Sequence, residues 1–421
     1  MNIPYRKAIV SIGLLFFVFG FITWLCSILI PYLQLACELN NFQAQLVSFA
    51  FYISYFVMAI PAGKVLKKTG FKNGIALGLL VMALGSLLFI PGAFTRQYWI
   101  FLTGLFIQGI GLAILQTASN PYVAILGPRE SAARRMSIMG ICNGVAGILA
   151  PLILGRLVLA DADATKIKLE QLGPAERLVA LENLATRVIN PYLVIFAGLL
   201  LLSFWFFRIS LPEPAEEEDD AASGSTTAMP TSILSYPHLI LGVLTLFVYV
   251  GVEVIAGNTI IGYASSVGIP MAKAQFFTSL TLLCMLLGYL IGIICIPKIF
   301  SQTQGLKASA VLGILFAGAA IGTHGTLSVI FIALLGLANS LMWPSIWPLA
   351  IADLGSYTKT GSALLVMAIA GGAVIPLLYG KLSDSWSPAM AYWIVLPCYL
   401  MIAFYGWYGH KIRIKQKTDA G

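Results

Sequence analysis

Apolar runs of twenty or more residues recur along the whole chain, separated by short polar stretches. An α-helix rises 1.5 Å per residue, so about 20 apolar residues cross a hydrocarbon layer about 30 Å thick. The pattern predicts twelve spanning helices, at 8–35, 43–66, 73–94, 98–126, 133–160, 190–210, 238–264, 273–299, 307–323, 327–352, 359–382 and 388–409. The first run is too long for a signal peptide and has no A-x-A cleavage site, so it counts as a span. Two connections are long. Residues 161–189 mix charges of both signs and predict a short external amphipathic helix. Residues 211–235 contain PEPAEEEDDAASGSTTAMPTS, which has little to bury and predicts a flexible linker.

Composition agrees with this pattern. Of the 421 residues, 59% are hydrophobic and 10% charged, whereas a soluble domain carries charge on about a quarter of its residues. The net charge of +8 forms no basic stripe interleaved with aromatics, so nucleic acid is not an expected partner; the lipid bilayer is. Basic residues stay on the cytoplasmic side of a membrane. With the N-terminus inside, 17 of the 25 Lys and Arg residues fall on that side. Both termini are therefore expected in the cytoplasm, in a multi-pass protein of the cell inner membrane. The six cysteines include no C-x-x-C pair, and five fall inside spans. Neither a disulfide framework nor a metal site follows.

The two halves of the chain resemble each other. PLILGRL at 151–157 matches PLLYGKL at 376–382, an offset of 225 that also superposes Gly111-Leu112-Ala113 on Gly336-Leu337-Ala338. GFK at 70–72 matches GLK at 305–307. Two parallel six-helix repeats, 1–210 and 236–421, joined by a cytoplasmic linker at 211–235, resemble the architecture of major facilitator transporters, which bind substrate between the halves near the midplane. The fold expected is all-α, with twelve transmembrane helices in two six-helix halves.

Polar residues inside spans are costly and become candidates for function. Glu253 is the one carboxylate well inside a span; Asp353 and Asp384 lie at span ends. Unless protonated, paired or bound to a cation, such a group costs several kcal/mol, so Glu253 is a candidate ion-coupling site, with helix packing as the alternative. Gly251, Gly257 and Asn258 on the same span would permit local unwinding. Gln108, Gln116 and Asn120, at spacings of eight and four, suggest a stripe of amides for sugar hydroxyls, and Asn339, Trp343 and Trp347 recur every four residues. An indole laid on a pyranose face adds apolar area to directional bonds. Trp24, Ser27, Asn143 and Asn258 complete the substrate-binding candidates. No His, Cys and carboxylate constellation lies together on the spans, so no catalytic residue and no enzyme activity is expected.

The segments FFVFGFITWL, LNNFQAQLVSFAFYISYFVMAIPAG, LQTASNPYVAILGP, ESAARRMSIMGICN, FVYVGVEVIAG, LANSLMWPSIWPLAI and TKTGSALLVMAIAGGAVIPLLYG resemble the fucose:proton symporter family, and more closely its glucose/galactose branch. The connection GKVLKKTGFK keeps Gly63, Gly70 and Lys72 of the superfamily's G-x-x-x-D-R-x-G-R-K pattern, with Lys67 at the acidic position; Lys67, Lys68 and Lys72 are expected to gate at the cytoplasmic face. Where fucose symporters carry a protonatable aspartate and glutamate, this chain has Ser27 and Gln116, and it has Gly144 and Asn258 where the glucose/galactose branch shows lysine and aspartate. The resemblance implies a secondary active importer of a glucose- or galactose-type hexose, working by alternating access as a monomer. It needs no cofactor beyond a coupling ion, Na+ or H+. An N-acetylglucosamine permease is the alternative within the family. The missing acidic pair suggests another, an uncoupled facilitator or sensor.

Overall fold

The computed structural model of the protein describes residues 3–125, 132–209, 233–296, 299–354 and 357–413, and builds them from α-helices and short 3-10 turns. The first half comprises α1 (Ile3–Ala36), α2 (Asn41–Leu87), α3 (Phe89–Thr95), α4 (Tyr98–Ile125), α5 (Ala132–Val158), α6 (Ala162–Gln171), α7 (Pro174–Thr186) and α8 (Ile189–Arg208). The second comprises α9 (Pro237–Asn258), α10 (Ile260–Ser266), α11 (Met271–Ala274), α12 (Phe277–Cys295), α13 (Gln302–Gly322), α14 (Gly325–Asn339), α15 (Met342–Ile351), α16 (Thr358–Ala368), α17 (Gly371–Ser385), α18 (Pro388–Ala391) and α19 (Val395–Trp407). Of the predicted linker, residues 211–232 lie outside the described residues.

Eleven helical stretches of the described residues are long and apolar enough to cross a membrane, and one of them, Asn41–Thr95, holds two crossings in 55 residues. Within it α2 runs for 47 residues, about 70 Å and twice the thickness of a bilayer. It breaks at Gly70, where φ 74° and ψ 168° turn the chain back. A side chain there would meet its own backbone, so glycine is the residue that permits the turn. With that break counted, the described residues hold twelve candidate crossings, an even number that puts their two ends, at Ile3 and Arg413, on one face.

Several spans predicted as single helices are interrupted. The tenth is α14 and α15, parted at Ser340 and Leu341. Pro344 explains this break, because its ring has no N–H for the carbonyl four residues back, at Ser340. The eleventh is α16 and α17, parted at Ile369 and Ala370. The seventh is α9 and α10, with only Thr259 between them. Its helical bonds persist, since the Thr259 amide still donates to the Ile255 carbonyl at 3.0 Å. The external connection is two helices, α6 and α7, rather than one. Tyr32 ties them down by donating its hydroxyl to the carbonyls of Leu184 and Ala185 at 2.7 and 2.9 Å, and Arg177 and Arg96 both pair with Glu38.

Within the first half α2 packs on α4 and α8, and α1 on α5; within the second, α9 packs on α15, α17 and α19, and α12 and α13 on α14. Large apolar side chains such as Phe56, Ile60, Leu201, Ile294 and Leu315 remain exposed on the periphery, where lipid would cover them. The halves meet along α2 against α17 and α5 against α12, with α1 touching α9. Those contacts set the position of the polar site.

Candidate functional site

Glu253 lies on α9 at the junction of the halves. It is half-buried, on a stretch of α9 whose neighbouring residues are buried. Tyr249 stands one turn earlier on the same helix, and it, Tyr52, Tyr289 and Tyr399 lie within electrostatic range of the carboxylate. These come from α2, α9, α12 and α19, so both halves contribute to the ring.

The ring extends on both sides. In the first half the Tyr52 and Tyr55 rings are 6.4 Å apart, and the Gln116 amide donates to the Tyr55 hydroxyl at 3.1 Å. In the second half the Tyr399 hydroxyl donates to Asn339 Oδ1 at 2.9 Å. Trp343 stands 6.4 Å from Tyr249 and stacks on Trp347 at 5.3 Å between centroids. Trp24 reaches across from α1: a Cβ added to Gly257 would sit 2.2 Å from its ring, and one added to Gly147 would sit 2.6 Å away. Asn143, partly buried one turn before Gly147, occupies the adjoining position on α5. Asn258 donates to Ser48 Oγ across the halves at 3.2 Å, and its Oδ1 is buried without a partner.

Three candidates sit elsewhere or differ in role. Gln108 is 1% exposed and donates to Ser86 Oγ at 2.6 Å, packing α4 against α2 rather than joining the ring. The spacing explains this correction: eight residues turn a helix by about 800°, leaving Gln108 about 80° off the face of Gln116. Ser27 is fully buried and donates to its own helix, at the Trp24 carbonyl, 2.7 Å away. The every-four stripe of Asn339, Trp343 and Trp347 is divided by the α14–α15 break, so Asn339 faces Tyr399 while the two indoles face α9. The side chain of Asn120 lies outside the described residues, as do those of Arg134 and Arg135. Lys67 and Lys68 are exposed on the face of the termini, and Lys72 donates to the Phe207 carbonyl at 3.4 Å.

The residues missed by sequence reasoning are the tyrosines. A phenol in an apolar span reads as packing, although Tyr249, four residues before Glu253, shares its helical face and was open to detection. Tyr52, Tyr289 and Tyr399 carry no such signal, because each belongs to the site only through tertiary packing.

The arrangement was compared with known proteins. The sequence profile of the Major Facilitator Superfamily matches residues 12–374. A glucose/galactose transporter of Brucella abortus biovar 1 (strain 9-941) is 35% identical over 410 residues, covering 97% of this chain and 95% of that one. An L-fucose-proton symporter of Escherichia coli (strain K12) is 33% identical over 376 residues, covering 88% and 85%. Among solved structures, the superfamily transporter FucP in its outward conformation superposes with a TM-score of 0.72 at 31% identity, covering 96% of this chain and 98% of that chain.

Proposed function

The chain belongs to the Major Facilitator Superfamily, and on that premise we propose that it is a secondary active sugar importer, taking a glucose- or galactose-type hexose across a bacterial inner membrane by alternating access. The observation that carries the reading is the site between the halves. A carboxylate ringed by phenols lies beside a stacked indole pair and amides from both halves, which suits a ligand with an apolar ring face and many hydroxyls. The names of the Brucella and Escherichia relatives point to the same class of solute. The face of the termini is the cytoplasmic one, as the excess of Lys and Arg there requires.

Glu253 is the coupling group in this proposal, and the proton is the coupling ion that the geometry favours. Sodium would need several oxygens converging on the carboxylate, and the seventh span keeps its helical bonds at Thr259. The carbonyl of Gly257 is occupied by the Thr278 hydroxyl at 2.7 Å. The titratable groups in electrostatic range of Glu253 are phenols, un-ionised at neutral pH, and a proton needs only the carboxylate itself. Purified protein in proteoliposomes tests the reading. Labelled glucose should exchange in counterflow, galactose should compete, and an inward proton gradient should drive accumulation. Competition by N-acetylglucosamine alone would reassign the sugar, accumulation under sodium alone would reassign the ion, and no counterflow with any sugar would sink the proposal.

A further inference from the structure

On the face opposite the termini, two carboxylates each close the end of a helix from the other half, and we infer that they are paired latches holding this outer side shut. The inference rests on the alternating-access reading above.

The first latch is Asp384, near the end of α17 in the second half. Its Oδ1 accepts the Asn41 N–H at 2.9 Å and its Oδ2 the Phe42 N–H at 2.8 Å. These are the first two amides of α2, which have no partner within their own helix. The helix's own cap, Asn40, takes only the Gln43 N–H, at 2.7 Å. The second latch is Asp163 on α6 in the first half. Its Oδ1 accepts the Met271 N–H at 2.9 Å and its Oδ2 the Ala272 N–H at 3.2 Å. These open the eighth span, where the residue in the cap position is Pro270, with no side-chain acceptor to offer. At α2 the anion also meets the positive end of a long helix's dipole; α11 is a single turn, so there the two N–H bonds alone make the contact.

The two latched helix ends occupy corresponding positions of the two halves. A shift of 230 carries Asn41, Phe42 and Gln45 onto Met271, Ala272 and Gln275. Gln45 and Gln275 are each 4% exposed, and in each Oε1 is buried without a partner. Each glutamine lies against a glycine of the opposite half, and those glycines, Gly380 and Gly155, are the matching positions of PLLYGKL and PLILGRL. A Cβ on Gly380 would stand 2.9 Å from Gln45 Cγ, and one on Gly155 would stand 2.6 Å from Gln275 Oε1. Asp384 follows its glycine by four residues and Asp163 by eight, a difference of about one helical turn.

Opening the outer side requires the halves to separate as bodies, which breaks all four N–H to carboxylate bonds together. Water then replaces each partner, so a latch biases the equilibrium without fixing it. The buried Oε1 atoms oppose the latches, because an acceptor unpaired in the closed state gains water when that side opens. A helix cap shifts its equilibrium by about five- to tenfold, so either latch alone should be felt at the other.

Hydrogen–deuterium exchange on the full-length protein in nanodiscs reads this directly. In Asp384→Ala, exchange should rise about five- to tenfold at 271–272 as well as at 41–42, and Asp163→Ala should show the reverse pair. A rise confined to the helix end that lost its own cap, or no rise at either, would overturn the latches. If an alanine variant does not fold, Asp384→Asn and Asp163→Asn give the same readout with a smaller shift. Sugar counterflow on the same preparations separates the two ideas: coupled latches without counterflow would sink the transport reading, and counterflow without coupling would sink the latches.

Discussion

A carboxylate inside a membrane span must be neutral, paired or hydrated, and half-buried Glu253 has phenols around it but no cation among its described partners. Neutralising it for good should therefore leave the sugar path and remove the drive. Glu253→Gln is expected to lower gradient-driven accumulation at least about tenfold while counterflow persists, since a group can bias the halves only by binding its ion more tightly in one conformation. Accumulation at the wild-type rate would make Glu253 a packing residue. The two glutamines of α4 give a paired test. Gln108→Leu should leave the apparent sugar affinity unchanged and cost about 1 kcal/mol of thermal stability, the scale of one interhelical bond in a membrane. Gln116→Leu, which also loses one interhelical bond, to Tyr55, should cost a similar amount of stability and in addition weaken apparent affinity in the competition assay. Sequence alone placed both on one stripe, and only packing against Ser86 and Tyr55 separates them.

Elements were legible in proportion to how far apolar length alone decides them. The twelve crossings follow from run length, and the reversal at Gly70 falls inside the connection that the pattern left between the second and third spans. The break in the seventh span falls at Thr259, beside the Gly257 and Asn258 that marked it for local unwinding, whereas the eleventh span breaks at Ile369 and Ala370 within apolar sequence, where packing between helices sets the geometry. The external α6–α7 pair was read as one helix because Leu172 and Gly173, which separate the two, are only two residues long. Its attachment depends on Tyr32, a fully buried hydroxyl that serves two carbonyls at the end of α7. Tyr32→Phe removes the hydroxyl from both carbonyls, of which Leu184 keeps the Arg187 N–H at 3.1 Å, a loss of about 1 kcal/mol. Hydrogen exchange should then rise across 174–186 and stay unchanged in α4, where Tyr32 makes no bond. Equal protection in the variant would mean that the ion pairs at Glu38 hold the helix alone.

At the scale of the whole molecule, the duplication was visible as a few short matches, and the structure gives them a physical meaning at the interface of the halves. PLILGRL and PLLYGKL mark two of the places where a helix of one half comes close to the other, and each has a glycine there. The two glycines do not meet the same obstacle. A methyl on Gly380 would stand 2.8 Å from the Asn41 carbonyl and 3.0 Å from Phe42 Cα, both backbone atoms that move only if α2 moves. A methyl on Gly155 would meet chiefly Gln275 Oε1, the far end of a side chain that can rotate away. Overpacking that forces backbone to shift costs about 1–3 kcal/mol, whereas a side chain that can swing aside relieves most of it. Gly380→Ala is therefore expected to wedge the outer side open and slow counterflow by about tenfold, and Gly155→Ala to stay within about twofold of the wild type. Gly155→Leu, too large for a rotation of Gln275 to absorb, should reproduce the Gly380→Ala defect. Initial counterflow rates for the three variants, normalised to protein reconstituted, provide the comparison. Equal rates for Gly380→Ala and Gly155→Ala would mean that the closed outer contacts do not limit the cycle.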